Sequence, residues 1–263
     1  MTTSTPSDPL ASFRLDDRLI VVTGASEGIG RAFAECFAHA GAYVVLASRR
    51  KDKLETVRQA IVASGGRAEV VTTDVCRLDD ILNLAAAVSR LAEQHDRLVL
   101  VNNAGFGFTR AALEITEQDW NVLFDTHVKG AFFCSQKIGA LMIQRGYGKI
   151  VNLSSAWSVS TDAGKSAYCA AKAAVSHLTA ALSTEWAPRG VRVNALAPTA
   201  TMTDFTANVM ASNPERARHL RSRIKLGRFA QPSDLLGAAV FLASGASDFV
   251  TGQTLFVDGG FTT

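Results

Sequence analysis

Leu19-Ile20-Val21-Val22-Thr23-Gly24-Ala25-Ser26-Glu27-Gly28-Ile29-Gly30 is the stretch from which the rest of this chain can be read. Its first five residues form a continuous apolar, β-branched run, the pattern of a strand buried on both faces. Three glycines follow within seven residues, and Arg31 to His39 then has helical character. Between a strand and a helix each glycine has a use. Gly24 permits a tight turn, Gly28 lets backbone N–H groups approach a pyrophosphate, and Gly30 allows close helix packing, so that an anion sits on the helix N-terminus. The spacing is GxxxGxG and not the commoner GxGxxG, and a simple glycine bend is the plain alternative. Its position directly after a buried first strand favours nucleotide binding. Ser26, Glu27 and Ile29 lie inside the turn and join the candidate site.

Outward from this stretch the pattern repeats. Strands are expected at Tyr43 to Ala47, Ala68 to Thr72, Leu98 to Val101, Lys149 to Leu153, Val191 to Leu196 and Thr254 to Val257. Helices are expected between them at Leu54 to Ala63, Ile81 to Glu93, Asp119 to Arg145, Ser166 to Ala187 and Ser233 to Ala243, the last with Ser233 as N-cap. Such alternation predicts an α/β fold of right-handed βαβ units around a parallel sheet covered on both faces. Pro198 is expected to block further strand pairing. Thr199 to Arg228 is polar, basic and broken by Pro214, and reads either as a short-helix lid over a ligand site or as a solvated surface excursion.

With 263 residues, 48% hydrophobic and 19% charged, the chain has ample material for one globular domain. That domain is expected over residues 13–263, with a lid at about 199–228, after a polar, proline-containing and flexible segment over residues 1–12. This start is not expected to be a signal peptide or a span, and no stretch approaches the ~18 apolar residues of a membrane helix. Cys36, Cys76, Cys134 and Cys169 show no metal-ligand spacing and read as reduced thiols of a cytoplasmic protein, with no metal expected. Cys169 beside Tyr168 lacks a His in local register and reads as helix filler. A net charge of +3, with short basic clusters at Arg49 to Lys53 and Arg216 to Lys225, fits a solvated face or a small anionic ligand better than nucleic acid.

The second expected strand ends in Ser48-Arg49-Arg50. An acid here selects a ribose 2′-hydroxyl, whereas Arg suits a 2′-phosphate, so this end favours NADP(H) over NAD(H). Glu27 opposes that choice unless a cation such as Arg49 pairs with it. Further along, Tyr168 and Lys172 stand four apart and therefore one turn apart on a helix face, with Ser155 thirteen residues earlier at a strand end. A nearby cation favours phenolate and brings a tyrosine pKa down from ~10 toward working pH, as proton transfer requires. Alone, a Tyr and a Lys at helical spacing are common.

With Thr23-Gly24 and its glycine turn, Asn102-Asn103-Ala104-Gly105, Ser155, and Tyr168 with Lys172 in this order, the chain resembles the classical short-chain dehydrogenases/reductases from about Leu15 to Gly260. Asp74-Val75 and Val257-Asp258-Gly259-Gly260 agree with the family pattern. The resemblance implies a single-domain, Rossmann-like, doubly wound sheet of seven parallel strands, and a homotetramer or homodimer packed through the long helices. It implies that Tyr168 is the acid/base, that Lys172 holds the nicotinamide ribose and lowers the tyrosine pKa, and that Ser155 orients the carbonyl oxygen. It places Asp74 and Val75 at the adenine, Asn102, Asn103, Ala104 and Gly105 at the adenine and ribose, and Pro198, Thr199, Thr201 and Thr203 near the nicotinamide and phosphates. The implied activity is NAD(P)-dependent interconversion of a ketone and a secondary alcohol. A 3-oxoacyl thioester, a sugar or polyol and an alicyclic ketone all remain open as substrates, and a non-catalytic nucleotide sensor is the rival of another class.

Two positions depart from the family pattern. His127 stands where an Asn usually helps a water join the lysine's proton relay; it reads either as a relay residue titrating near neutrality or as a core histidine. Thr199 stands where glycine is common, and its β-branch disfavours positive φ. Phe106, Phe108, Trp157, Val159 and Thr161 are the candidate substrate residues, with the lid from Thr203 to Lys225. Lid residues Arg218, Arg221, Arg223 and Lys225 would receive a phosphopantetheine or acidic carrier, or else form a solvated helix face.

Overall fold

A computed structural model describes residues 10–263. The expectation of a flexible start falls largely on residues 1–9, outside those described; Ala11–Phe13 forms a 3-10 turn, its Phe13 ring 6.4 Å from Phe241. Among the described residues the strands are β1 (Arg18–Thr23), β2 (Tyr43–Ser48), β3 (Arg67–Thr72), β4 (Arg97–Asn102), β5 (Gly148–Leu153), β6 (Val191–Pro198) and β7 (Thr254–Val257). They form one parallel sheet in the order β3-β2-β1-β4-β5-β6-β7. The order reverses between β1 and β4, and the crevice beyond the carboxyl ends of these two strands is where such sheets bind ligands.

The helices are α1 (Gly28–His39), α2 (Lys51–Ala63), α3 (Leu78–Leu91), α4 (Glu117–Phe124), α5 (Gly130–Gln144), α6 (Ser166–Trp186), α7 (Asp204–Ser212), α8 (Pro214–Arg223) and α9 (Pro232–Ala243). Along β1, Ile20 and Val22 pack on one face with Phe33 and Phe37 of α1 and Leu235 and Leu242 of α9. Leu19 and Val21 pack on the other with Ile81 and Leu84 of α3, Ile138 of α5 and Leu182 of α6. Two helical layers explain why the strand is apolar without alternation.

Two local expectations are corrected. The helix expected over Asp119 to Arg145 is α4 and α5 joined by a π-helical turn, Asp125–Lys129, which carries His127. Pro198 ends the pairing of β6 as expected: it is the last residue of the strand, in register with Val257, and its carbonyl accepts from Ser155 Oγ at 3.3 Å. Gln231, not Ser233, caps α9, because Pro232 takes the first helical position and Gln231 and Asp234 form a capping box.

Candidate active site

A cleft of about 1070 Å³ opens at the crossover point, from Arg49, Arg50 and Lys53 at one end to Trp157, Leu220 and Phe261 at the other. Its floor near β1 is shaped by the absence of side chains. Gly24 has φ +67, and a Cβ there would lie 2.9 Å from the Ala104 Cα and the Asn103 Nδ2. A Cβ on Gly30 would run into Asn103 Nδ2 and the Gly24 carbonyl, and one on Gly28, at φ +58, would meet the Thr203 methyl at 3.2 Å. Asn103 Nδ2 is fixed by the Thr23 carbonyl at 2.9 Å, so the turn is locked against the end of β4. No side chain caps α1, which leaves its first amides and the positive end of its dipole facing the cleft. This cradle fits a pyrophosphate.

At the end of β2, Glu27 is held by Arg50 Nη2 at 2.7 Å and by Lys53 Nζ at 3.0 Å. The expected partner Arg49 is not the one used; Arg49 is exposed and lines the cleft. Arg50 also donates to Ser26 Oγ at 3.0 Å. Its hydrogen bond, with that of Lys53, holds the Glu27 carboxyl below the usual range. Three cations against one ionised acid leave this corner positive, which fits a dinucleotide carrying an extra phosphate.

Further in, Ser155 at the start of the loop after β5 and Tyr168 and Lys172 on α6 come together. Lys172 Nζ donates to the Leu153 carbonyl at 2.6 Å and lies 5.7 Å from the Tyr168 ring centroid. Burial pushes the Tyr168 phenol up to about 12, with a hydrogen bond from Ser155 pulling the other way. Burial pushes the Lys172 amine down to about 7. The phenol is raised and not lowered, against the expectation that Lys172 draws it down toward working pH: desolvation disfavours both charged forms. A phenol so held is protonated at neutral pH.

His127 is 4% exposed, its ring edge-on to Tyr168 at 5.6 Å. Its Nε2 lies 2.7 Å from the Phe106 carbonyl oxygen and 3.2 Å from the Phe106 amide. Burial first, and the charge of Lys172 second, push it down to about 3. It is neutral throughout the working range, against its reading as a residue titrating near neutrality. Gly105 leaves the room that its ring occupies.

A family model described as enoyl-(acyl carrier protein) reductase matches residues 24–262, the span that holds the glycine turn and the Ser155, Tyr168 and Lys172 set. The chain is a classical short-chain dehydrogenase/reductase. As a member of that family it is an oxidoreductase acting on CH–OH groups with a nicotinamide dinucleotide. It is 39% identical to a gluconate 5-dehydrogenase of Gluconobacter oxydans, over 95% of this chain and 96% of that one. It is 35% identical to an NAD-dependent glycerol dehydrogenase of Listeria innocua, again over 95% and 96%. A solved structure from Beutenbergia cavernae, assigned as an NAD(P)-dependent gluconate 5-dehydrogenase with NADP bound at low occupancy, is 42% identical over 95% and 99%, with a TM-score of 0.89.

Most expected site residues of this dehydrogenase/reductase line the one cleft: Gly24, Ser26, Glu27, Gly28, Ile29 and Gly30 of the turn, Ser48, Arg49 and Arg50, Asp74 and Val75, Asn103 to Phe106, Phe108, His127, Ser155, Trp157, Tyr168, Lys172, and Pro198, Thr199, Thr201 and Thr203. Three stand elsewhere. Asn102 turns inward, donating to Ser135 Oγ and Asn152 Oδ1 at 2.9 Å each, and so ties β4 to β5 and α5. Val159 is 66% exposed and outside the cleft, and Thr161 turns its carbonyl to Arg223 at 3.1 Å. Thr199 keeps a negative φ, as every described non-glycine residue does.

The two short helices α7 and α8 border the substrate end. Arg218, Arg221 and Lys225 are exposed there, but Arg223 is not part of a solvated face: its guanidinium lies 4.3 Å from the Phe261 ring centroid and 5.3 Å from that of Trp157. Sequence reasoning missed Lys53, Lys165 and Phe261 as cleft residues. Lys53 is one turn beyond Arg50 and Lys165 one turn before Tyr168, spacings that could have flagged them; nothing local could have placed the C-terminal Phe261.

Proposed function

We propose that this enzyme interconverts a ketone and a secondary alcohol with NADP(H) preferred over NAD(H), Tyr168 acting as the acid/base. The observation that carries the reading is a phenol held between Ser155 and Lys172 in the same cleft as the glycine cradle. Bound there, the nicotinamide dinucleotide supplies the hydride or takes it up. In reduction Tyr168 gives its phenolic proton to the carbonyl oxygen, and in oxidation it accepts the proton of the alcohol. Ser155 hydrogen-bonds the reacting oxygen and sets its distance from Tyr168. Lys172, anchored on the Leu153 carbonyl, stabilises the phenolate left behind and returns a proton to it. His127, neutral and bonded to the Phe106 backbone, holds the loop after β4 against Tyr168 as a positioning residue.

Preference for NADP(H) is supported by the surplus of cations at Arg49, Arg50 and Lys53, and by the solved relative from Beutenbergia cavernae with NADP bound. The Listeria innocua relative, named NAD-dependent, points the other way. Among subunit contacts, the long helices after β4 and β5, namely α4 with α5 and α6, are the proposed surface; on α4, Trp120, 43% exposed, stacks on Phe124 at 4.4 Å.

The test is a ketone screen that follows depletion of NADPH and NADH at equal concentration. Arg50→Ala should reduce the NADPH:NADH ratio of kcat/KM by about tenfold, the size of a charge-assisted phosphate contact. Equal or better use of NADH by the wild type contradicts the cofactor assignment. Tight nucleotide binding with no ketone reduced and no alcohol oxidised would favour the sensor.

A further inference from the structure

The substrate end of the cleft carries two cations that the reaction described above does not use. Lys165 sits directly before α6, its Nζ 5.8 Å from the Tyr168 ring centroid and donating to the Phe108 carbonyl at 2.9 Å. Arg216 of α8 lines the same cleft and reaches across to Asp162 Oδ2 at 3.1 Å and the Ala163 carbonyl at 3.5 Å. The other oxygen of Asp162 accepts from the Ala163 amide at 2.9 Å. Asp162 is thus engaged by Arg216, and among the described residues Lys165 is in no ion pair of its own. The other acids of the cleft are committed or distant in role: Glu27 to Arg50 and Lys53, Asp74 to the Cys76 amide, and Asp204 to the first turn of α7.

Phe106, Phe108, Met210 and Leu220 make up much of the surrounding wall. A partly buried lysine among such neighbours has lost hydration, and burial first and the charge of Arg216 second lower its pKa by more than Cys169 and Asp162, the latter already engaged by Arg216, raise it. An incoming anion would reverse that, and the low dielectric of the wall would strengthen the contact. A neutral polyol offers no such compensation. The relatives divide on this point, since gluconate is an acid and glycerol is neutral.

We propose that Lys165, backed by Arg216, reads a carboxylate on the substrate, so that the ketone this enzyme reduces is an oxo acid held with its carbonyl at Tyr168 and its carboxylate at the mouth of α6. The proposal rests on the oxidoreductase reading and adds the substrate class and the residue that selects it. No bond is made or broken at Lys165; it sets KM and orientation.

The test compares short straight-chain oxo acids, each with its methyl ester, at saturating NADPH. Wild type should favour the acid over the ester in kcat/KM by at least about tenfold, the size of one charge-assisted hydrogen bond. Lys165→Met should bring that ratio close to one, mainly through KM, and Lys165→Arg should restore most of it; thermal melting checks that each variant folds, with Lys165→Gln in reserve. A wild-type ratio near one overturns the proposal, as does a ratio that survives in both Lys165→Met and Lys165→Gln. If no ketone is reduced at all, calorimetric titration of the same acids decides: weaker binding to Lys165→Met supports the carboxylate site and sinks only the oxidoreductase reading, whereas equal binding overturns the site.

Discussion

At its nucleotide end the cleft is shaped by backbone, and at its substrate end by side chains. Gly24, Gly28 and Gly30 form the first end because a Cβ at any of them would meet Ala104, Asn103, Thr203 or the turn itself. The second end is assembled from four separate places: Phe106 and Phe108 after β4, Trp157 and Lys165 between β5 and α6, Met210, Arg216 and Leu220 on α7 and α8, and Phe261 near the C-terminus. The first kind of surface tolerates almost no change and recognises groups common to many ligands, such as phosphate and ribose. The second can be rebuilt residue by residue, and specificity is therefore expected to reside there.

The sharpest way to break this contrast is Gly30→Val. Its side chain has no space beside Asn103 Nδ2 and the Gly24 carbonyl, so a stability loss of about 3 kcal/mol is expected, with nucleotide binding lost in titration. Phe205→Ala at the exposed edge of the substrate end should change stability by no more than about 0.5 kcal/mol in the same melts. Intact nucleotide affinity in Gly30→Val would remove the basis of the comparison.

Lys172 stands where the two ends meet. Lys172→Met should lower turnover by about 100-fold or more. Stability should respond with a definite sign: the folded pKa of about 7 lies below the unfolded 10.5, so between these values the unfolded chain binds a proton that the folded one does not. This group's contribution is full above 10.5 and is lost as pH falls toward 7. Melts across that window should show wild type gaining on Lys172→Met as pH rises; parallel curves would mean that the amine is not desolvated.

His127→Asn should have the smallest effect. With the ring neutral above about 3, the pH profile of turnover between pH 6 and 9 should keep its shape, and kcat should shift by no more than about threefold. Wild type should lose stability relative to the variant as pH falls from 6.5 toward 3, because the unfolded imidazole takes up a proton there. A profile displaced by a full pH unit would return His127 to a titrating role.

How legible each end is in the sequence follows from the same contrast. The strand ending at Thr23 and the turn after it can be read because β-branched runs and glycines at fixed offsets report local backbone geometry. The alternation that gives the parallel sheet is legible for the same reason, although its helices start up to three residues earlier than apolar periodicity shows: α2 and α3 begin at Lys51 and Leu78, on polar or exposed first turns. Not legible were the π-helical turn that brings His127 beside Tyr168, the choice of Arg50 over Arg49 by Glu27, and the inward Arg223. Each depends on packing between segments far apart in sequence. Val159 and Thr161 were misplaced because nearness to Ser155 in sequence does not fix which side of a loop faces the cleft.

The central claim is that the Tyr168 phenol carries the proton while the rest of the cleft binds. Tyr168→Phe isolates it, since the ring and its packing remain and only the hydroxyl is lost. Fluorescence titration should give an NADPH Kd within about threefold of wild type, and turnover of every ketone accepted by the wild type should fall by at least about 1000-fold. Turnover retained within about tenfold of wild type, with the nucleotide still bound, would contradict the account.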